Sequence, residues 1–489
     1  MANIKPFVHL FKTLGNNYIF DVNTNAILTV DDNVYRYLEN FHGENGKTVK
    51  AESPLTEKEV QKACAWIKNA QDQGFLSTKR GKQIRHINDP YLEGQLDLYM
   101  GNLILQVTQA CNLRCKYCAY SGGYKNRPHG ELSMSEETAK KAIDFFIDHS
   151  SEMPRVAFGF YGGEPFLNFA LIKKLVPYIN QKARGKKYGF YITTNGTVMN
   201  EEIIQFIIKN KVDLMVSLDG PKEVHDRNRC FGSGRGSFDV VMKNIEQIKA
   251  IDPEYVKDSV RFNAVFTEEV GFCTLSKFFT DFEAIKDPYV MASSQNRYYL
   301  KEDKKQEEPR NLQYYDDLYY ESFKYMLYKN KRLQKSDVSN ITVNWEENER
   351  SGMEEKRMLT IEVPDSYHPS GPCIPGSRRL FVTIHGELFP CERVSETSKV
   401  CRIGTIDTGI DMEKARKILN IGRLTEEACL NCWATRFCGS CVASSDNGNE
   451  MDKKLKLSYC KDFLADAESK LKKYCTYKEF NISTEKEFN

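Results

Sequence analysis

L-I-L-Q-V-T-Q-A-C-N-L-R-C-K-Y-C, residues 103–118, runs from an apolar, strand-like stretch (Leu103–Val107) into three cysteines, Cys111, Cys115 and Cys118. The spacing C-x3-C-x2-C sets three thiolates where they can grip one face of a cubane iron–sulfur cluster. The fourth iron is left without a protein ligand. Electron-transfer clusters are ordinarily closed by four cysteines, so the missing ligand is the informative part. An open iron can chelate a small molecule through an amine and a carboxylate, and S-adenosylmethionine (SAM) offers both. That chemistry is radical generation, in which the cofactor supplies the reaction and the protein supplies position and exclusion. A zinc knuckle is the other reading of clustered cysteines, although zinc favours C-x2-C pairs and four ligands.

Outward from this stretch, strands alternate with helices from about residue 98 to 300. The expected strands are Leu103–Val107, Val156–Tyr161, Gly189–Thr193, Asp213–Ser217, Val260–Phe266 and Tyr289–Ala292. The expected helices are Ser135–Asp148, Ala170–Ala183, Glu201–Asn210, Phe238–Ala250 and Thr274–Glu283. Six such repeats predict an α/β fold, a partial (β/α)6 barrel of TIM type, with its site on the loops at the strand C-termini. The cysteine run and Gly162-Gly163-Glu164-Pro165 both fall on such loops. Glycines allow close backbone approach, and a carboxylate pairs an ammonium.

With these motifs the sequence resembles the radical SAM enzymes. Tyr117 fills the family's aromatic position before the third cysteine. The resemblance implies that Gly162, Gly163, Glu164 and Pro165 meet the methionine amino group of SAM. It also implies that Thr194 and Asn195, after one strand, and Ser217 and Asp219, after the next, line the pocket near the ribose; ordinary strand-to-helix turns are the alternative. His225-Asp226-x2-Arg229 resembles a segment whose arginine meets the SAM carboxylate, a bidentate partner that suits a guanidinium. A surface ion pair is the alternative there.

A second cysteine field follows: Cys373, Cys391, then Cys429-x2-Cys432-x5-Cys438-x2-Cys441, then Cys460. Its middle block alone could be a zinc ribbon. With its flanks it resembles a SPASM domain, an extension that carries two auxiliary 4Fe–4S clusters, although the family usually has three residues before the last cysteine of the block. By that resemblance Cys429, Cys432, Cys438 and Cys460 close the outer cluster, and Cys373, Cys391 and Cys441 hold the inner one. The inner set lacks a fourth ligand, which Cys401, another side chain or a substrate thiolate would supply; iron would lower the thiol's pKa. Glu392 stands where related sulfatase maturases have a proposed general base, with an ion pair to a neighbouring arginine as the alternative. Cys64 and Cys475 are expected to be buried in helices, and Cys230 and Cys273 are left unassigned.

Before the barrel, residues 1–95 predict three short strands (Val8–Phe11, Tyr18–Val22, Ala26–Val30) and helices at Asn33–Phe41 and Thr56–Gly74. The second helix would bury Val60, Cys64, Ile67 and Ala70. The pattern suggests a winged-helix-like unit and resembles the leader-peptide recognition element of peptide maturases, in which a leader adds as a strand to a sheet edge. A generic appendage is the alternative. Residues 301–370 would form a linker, charged over 301–310, with a bridging helix near Gln313–Lys329, and 371–489 the SPASM domain.

The 489 residues carry Lys+Arg 69 against Asp+Glu 67, a net charge of +2. No basic stripe marks a nucleic-acid surface. No run of eighteen apolar residues marks a membrane span, and Met1–Phe11 lacks an apolar signal core. A cytoplasmic location is therefore expected, where 15 cysteines point to metal or redox chemistry rather than disulfides.

The whole pattern resembles maturases of cysteine-rich precursors, the ranthipeptide and sactipeptide makers, with Tyr117–Tyr124 and Pro390–Val394 contributing. It implies SAM, three 4Fe–4S clusters and a flavodoxin- or ferredoxin-like electron donor. Its reaction would be thioether formation between a precursor cysteine and a carbon of another residue, through a 5′-deoxyadenosyl radical. The rival readings are a sulfatase maturase that makes formylglycine and a non-enzymatic zinc-binding interaction protein.

Overall fold

The computed structural model describes residues 5–42, 54–120, 123–126, 129–268, 270–285, 288–295, 298–301, 311–369 and 373–482. Of the expected features, the charged segment 302–310 and Ser121-Gly122 lie outside the described residues.

Strands β1 (Val8–Lys12), β2 (Asn17–Asp21) and β3 (Ala26–Val30) form an antiparallel meander followed by α1 (Asp32–His42) and α2 (Glu57–Asp72). Thr56 starts α2 through a capping box: its hydroxyl accepts from Glu59 N, and the Glu59 carboxylate accepts from Thr56 N at 2.7 Å. The helix buries Ala63 and Ala70. Cys64, expected on that face, is exposed instead, because Ala63 takes the inward position between Val60 and Ile67, whereas Cys475 is buried as expected.

Period-two alternation gives the small sheet two apolar faces. Val8 and Ile19 pack on α1 and α2 with Val34, Leu38, Ala63 and Leu76. Phe7, Phe11, Tyr18 and Phe20 turn the other way and share a core with Phe437, Ala467 and Leu471 of the C-terminal region. The N-terminal unit is thus wedged against the far end of the chain. Short elements β4 (Gln83–Ile84) and α3 (Leu92–Leu98) lead onward.

The βα repeats follow as β5 (Asn102–Thr108), α4 (Glu136–Asp148), β6 (Arg155–Gly162), α5 (Phe169–Lys182), β7 (Lys187–Thr194), α6 (Glu201–Lys209) and β8 (Asp213–Ser217). Three helices, α7 (Lys222–Asn228), α8 (Phe238–Ile251) and α9 (Pro253–Ser259), precede β9 (Val260–Phe266); α10 (Phe272–Asp281) precedes β10 (Tyr289–Ser294). The six strands lie side by side in chain order, all parallel. This is the expected partial barrel. α7 and α9 were not foreseen: the first is short, and the second starts at Pro253 with an Asp252 cap.

The two faces of the sheet differ. In β9, Val260, Phe262, Ala264 and Phe266 are buried under the helices, while Arg261, Asn263 and Val265 are half-buried. In-register neighbours share a face, so Tyr161, Tyr191, Met215, Asn263 and Ser293 line the inner side. A closed (β/α)8 barrel fills this space with branched apolar side chains. Here it is polar and partly open.

Helices α11 (Leu312–Lys329) and α12 (Asn340–Lys356) lead to β11 (Ser366–Tyr367), which pairs with β4. Then β12 (Leu380–Val382) pairs parallel to β5, and β13 (Glu387–Phe389), β14 (Gly404–Thr405) and β15 (Gly409–Ile410) continue the same sheet. The open edge of β5 is thereby covered by the C-terminal region. Helices α13 (Met412–Leu419), α14 (Glu426–Leu430), α15 (Lys453–Ser458) and α16 (Cys460–Glu479) complete the chain. No helix among the described residues is long and apolar enough to cross a membrane.

Candidate active site

The cysteine loop leaves the C-terminal end of β5 and is stitched to the end of α7 and the residues just after it: Lys116 N donates to Asn228 O at 3.0 Å and Arg114 N to Cys230 O at 2.7 Å. Leu113, 1% exposed, anchors it. Burial pushes the Cys115 thiol up to about 12; Arg229 opposes this, and charge on Cys118 and Cys111 adds to it. Burial also lifts Cys111, to about 11, against a hydrogen bond from Leu113 N at 3.4 Å. The three sulfurs are thus within electrostatic reach of one another. Cys230 stands apart, its thiol donating to Asp226 O at 2.8 Å.

The glycine pair brings β6 against this loop. Gly162 has φ +133°, and a Cβ on it would lie 2.1 Å from Thr108 O; one on Gly163 would lie 2.1 Å from Ala110 O. Without side chains, Gly163 N reaches Thr108 O at 2.9 Å and Glu164 N reaches Ala110 O at 2.8 Å. Pro165 then opens a 3-10 turn. Glu164 is fully buried. One oxygen accepts from Thr194 Oγ1 at 2.8 Å and Phe166 N at 3.2 Å, the other from Asn195 N at 2.7 Å. Burial pushes its carboxyl up to about 7 against these donors. In this arrangement the carboxylate ties β6 to the end of β7.

Asn195 links the same strand end to the cysteines: its Nδ2 donates to Asn112 Oδ1 at 2.9 Å and lies 3.8 Å from Cys111 Sγ. Asn112 in turn donates to Thr197 Oγ1 at 2.8 Å. Ser217, at the end of β8, is buried. Two positions further, Asp219 is fully buried and accepts from Arg229 Nε at 3.0 Å, from Val265 N at 3.1 Å and from the Tyr117 hydroxyl. The Arg229 guanidinium also lies over the Tyr117 ring, 5.2 Å from its centroid. Burial works against its charge, but Asp219 and Tyr117 outweigh it and hold the group above its ordinary value. Arg229, expected to meet a ligand carboxylate, is paired through Nε inside the chain.

The C-terminal cysteines fall into two groups. Cys432 is pushed up to about 12 by burial, with Cys438, Cys429 and Cys460 adding to the shift. Cys441 is raised by burial and then by Cys373, and Cys391, at about 12, by burial, Glu392 and Cys441. Cys401 joins neither group. It is fully buried, its thiol donating to Asp446 Oδ2 at 3.2 Å, an oxygen that also accepts from Tyr299 OH at 2.9 Å. Cys401, one of the alternatives for the fourth inner ligand, is thus engaged with Asp446 from a distant chain segment. Cys273 sits at the start of α10, its N–H donating to Asp317 at 3.0 Å, also apart from the groups.

Glu392 Oε1 is 2.5 Å from an Arg379 nitrogen and 3.9 Å from Arg393 Nε. Its Oε2 is buried and has no hydrogen-bond partner. Tyr161, unforeseen as a site residue, is raised by burial, then by Glu392 and Cys118. It stands within reach of both the cysteine loop and the C-terminal region. A tyrosine just before the glycine pair was its signal in the sequence; Asn112 and Thr197 carried none beyond adjacency to Cys111 and Asn195.

Among the described residues no three His, Cys, Asp or Glu side chains are close enough to share a single metal ion. A cubane places each thiolate on a different iron, so its ligands stand further apart than those around one zinc. The thiols of Cys111, Cys115 and Cys118 match that larger group in donor chemistry.

Residues 105–259 match the radical SAM superfamily. The serine-type anaerobic sulfatase-maturating enzyme of Bacteroides thetaiotaomicron is 35% identical over 167 residues, 33% of this chain and 38% of that one. The cysteine-type enzyme of Clostridium novyi is 32% identical over 155 residues, 31% and 41% of the two chains. The matched region thus spans well under half the length of either relative. The solved structure of native anSMEcpe with bound AdoMet is similar over 78% of this chain and 99% of that one, with 20% identity and a TM-score of 0.57, a likeness of fold.

Proposed function

We propose that this chain, which carries a radical SAM domain over residues 105–259, is a peptide maturase that joins a cysteine sulfur to a carbon of another residue in a ribosomally made precursor. When bound, SAM and a 4Fe–4S cluster on Cys111, Cys115 and Cys118 supply the radical that removes a hydrogen from the peptide. The observation that carries the thioether reading is the inner set. Cys441 feels the charge of Cys373, and Cys391 that of Cys441, while the thiol of Cys401, the spare cysteine nearby in sequence, donates to Asp446. Three ligands leave a position for a thiolate from the substrate.

The chain's own residues then have definite tasks. The Asp219–Tyr117–Arg229 cluster and the Glu164–Thr194–Asn195 bonds fix the loops around the SAM pocket. Tyr161, Tyr191, Asn263 and Ser293 offer a peptide polar contacts inside the barrel. Arg379 orients Glu392, whose unpartnered Oε2 is the candidate acceptor for a substrate proton. The apolar outer layer of the barrel excludes water from the reaction. The N-terminal unit would bind the leader along β3, one of its two sheet edges.

A second reading, formylglycine formation, is favoured by the sulfatase-maturating relatives. Anaerobic co-expression with a short cysteine-rich peptide encoded beside the gene, followed by mass spectrometry after alkylation, separates the two. Thioether formation removes two hydrogens per crosslink and leaves those cysteines unalkylated. Formylglycine gives an aldehyde that a hydrazide captures. A peptide with every thiol free, under conditions where SAM is cleaved, would refute the thioether reading. Deleting residues 1–95 is a poor test of leader binding, because it strips Phe7, Phe11 and Phe20 from the core they share with Phe437. Substitutions on β3 are the cleaner probe.

A further inference from the structure

Lys456 is 3% exposed. Its Nζ donates to Thr425 Oγ1 at 2.6 Å and lies 3.8 Å from Cys429 Sγ. The same threonine hydroxyl is 3.2 Å from that sulfur. Among the described residues no carboxylate lies within ion-pair distance of the ammonium. A buried cation without a counter-charge is strongly unfavourable, and neutral thiols and a hydroxyl do not balance it. The fourth cysteine, Cys460, follows one turn after Lys456, its thiol 3.8 Å from the Lys456 carbonyl oxygen.

We infer that Lys456 is the built-in counter-ion of the outer auxiliary cluster and raises its reduction potential, with Thr425 fixing the ammonium beside the Cys429 sulfur. This rests on the reading that Cys429, Cys432, Cys438 and Cys460 together hold a 4Fe–4S cluster. Such a cluster with four thiolates is an anion, and gaining one electron makes it more negative. A buried positive charge stabilises the reduced form more than the oxidised one, and net charge and hydrogen bonds to sulfur are the levers that set such potentials. Lys456 is thus a positioning residue: it moves no atom of the substrate and acts on how readily this site accepts an electron.

The test uses the full chain, loaded anaerobically with iron and sulfide, with Cys111, Cys115 and Cys118 replaced by alanine so that the remaining signals belong to the auxiliary sites. Midpoint potentials are read by electron paramagnetic resonance during a redox titration, alongside iron and zinc content. In K456M one potential should move negative by at least a tenfold change in the redox ratio, about 59 mV for one electron, while the other stays. K456R, which keeps the charge, should hold close to the parent. Unmoved potentials at full iron content would overturn the inference. If K456M cannot retain the outer cluster, K456R decides: retention with arginine supports the counter-ion role, and loss in both variants assigns the lysine to packing. A parent protein with zinc and no iron on these four cysteines would instead refute the cluster reading itself.

Discussion

Two buried cations, Arg229 and Lys456, are treated in opposite ways. Arg229, 7% exposed beside the cysteine loop, meets a carboxylate: Asp219 accepts from its Nε at 3.0 Å, and Tyr117 lies beneath the guanidinium. Lys456, 3% exposed beside the outer thiols, meets a hydroxyl and a sulfur. The first cation is balanced by the chain before any cofactor arrives, so its loop is set in advance. The second is left for a bound anion to balance. One site is preorganised by the fold, and the other is completed by what it binds.

That contrast breaks most sharply at Asp219. Asp219→Asn leaves Arg229 buried without its anion and should lower the unfolding free energy of the cluster-free protein by about 3–5 kcal/mol, measured by urea denaturation. The double variant with Arg229→Met should recover much of the loss; no recovery would mean that Asp219 matters chiefly through Val265 N and Tyr117. Gly162→Ala, next in size, forces a side chain into φ +133° against Thr108 O and should destabilise by at least about 1 kcal/mol, with a fall in SAM affinity by calorimetry.

Lys456→Met sharpens the comparison by sign. In the cluster-free protein it removes an unbalanced charge and should leave the urea midpoint equal or higher, the reverse of Asp219→Asn. In the loaded protein the same change should lower it. A drop in both states would place Lys456 with Arg229 after all.

A further effect concerns pH. Glu164 is raised from 4.5 to about 7 in the folded protein, so between these values the folded state binds more protons than the unfolded one. Its contribution to stability is therefore greatest at low pH and is lost as pH rises through this window. Glu164→Gln should flatten the stability–pH curve between about 4.5 and 7 relative to the parent; parallel curves would show that the carboxyl is ionised throughout.

The barrel was legible in the sequence because its strands alternate in a way burial enforces: V-R-F-N-A-V-F in β9 sends every second side chain under the helices. The cysteine loop was legible because its ligands are neighbours in the chain. What escaped were facts made by distant partners. Cys64 and Ala63 are adjacent, and at that one turn the pattern does not say which faces in: the methyl is buried and the thiol exposed. Cys401 looked available until Asp446 and Tyr299 met it. Lys456 stands in D-K-K-L-K-L, where Lys453 and Lys454 are exposed, and nothing local marks the third lysine as buried. His9 stacks on Trp433 with ring centroids 3.6 Å apart, joining the first strand to the loop after Cys432, a contact no periodicity could forecast.

The covering of β5 by β12 also has a meaning in time. Gln106 accepts a hydrogen bond from Ile384 N, 278 positions further along the chain. At about 5–20 residues per second of synthesis, the first barrel strand waits roughly 15–55 seconds for the segment that closes its edge. During that interval the nascent protein carries the three thiols of the cysteine loop beside a strand with one edge still unpaired. Slowing translation between residues 118 and 380 would lengthen that interval, and the yield of soluble, iron-loaded protein should fall with it.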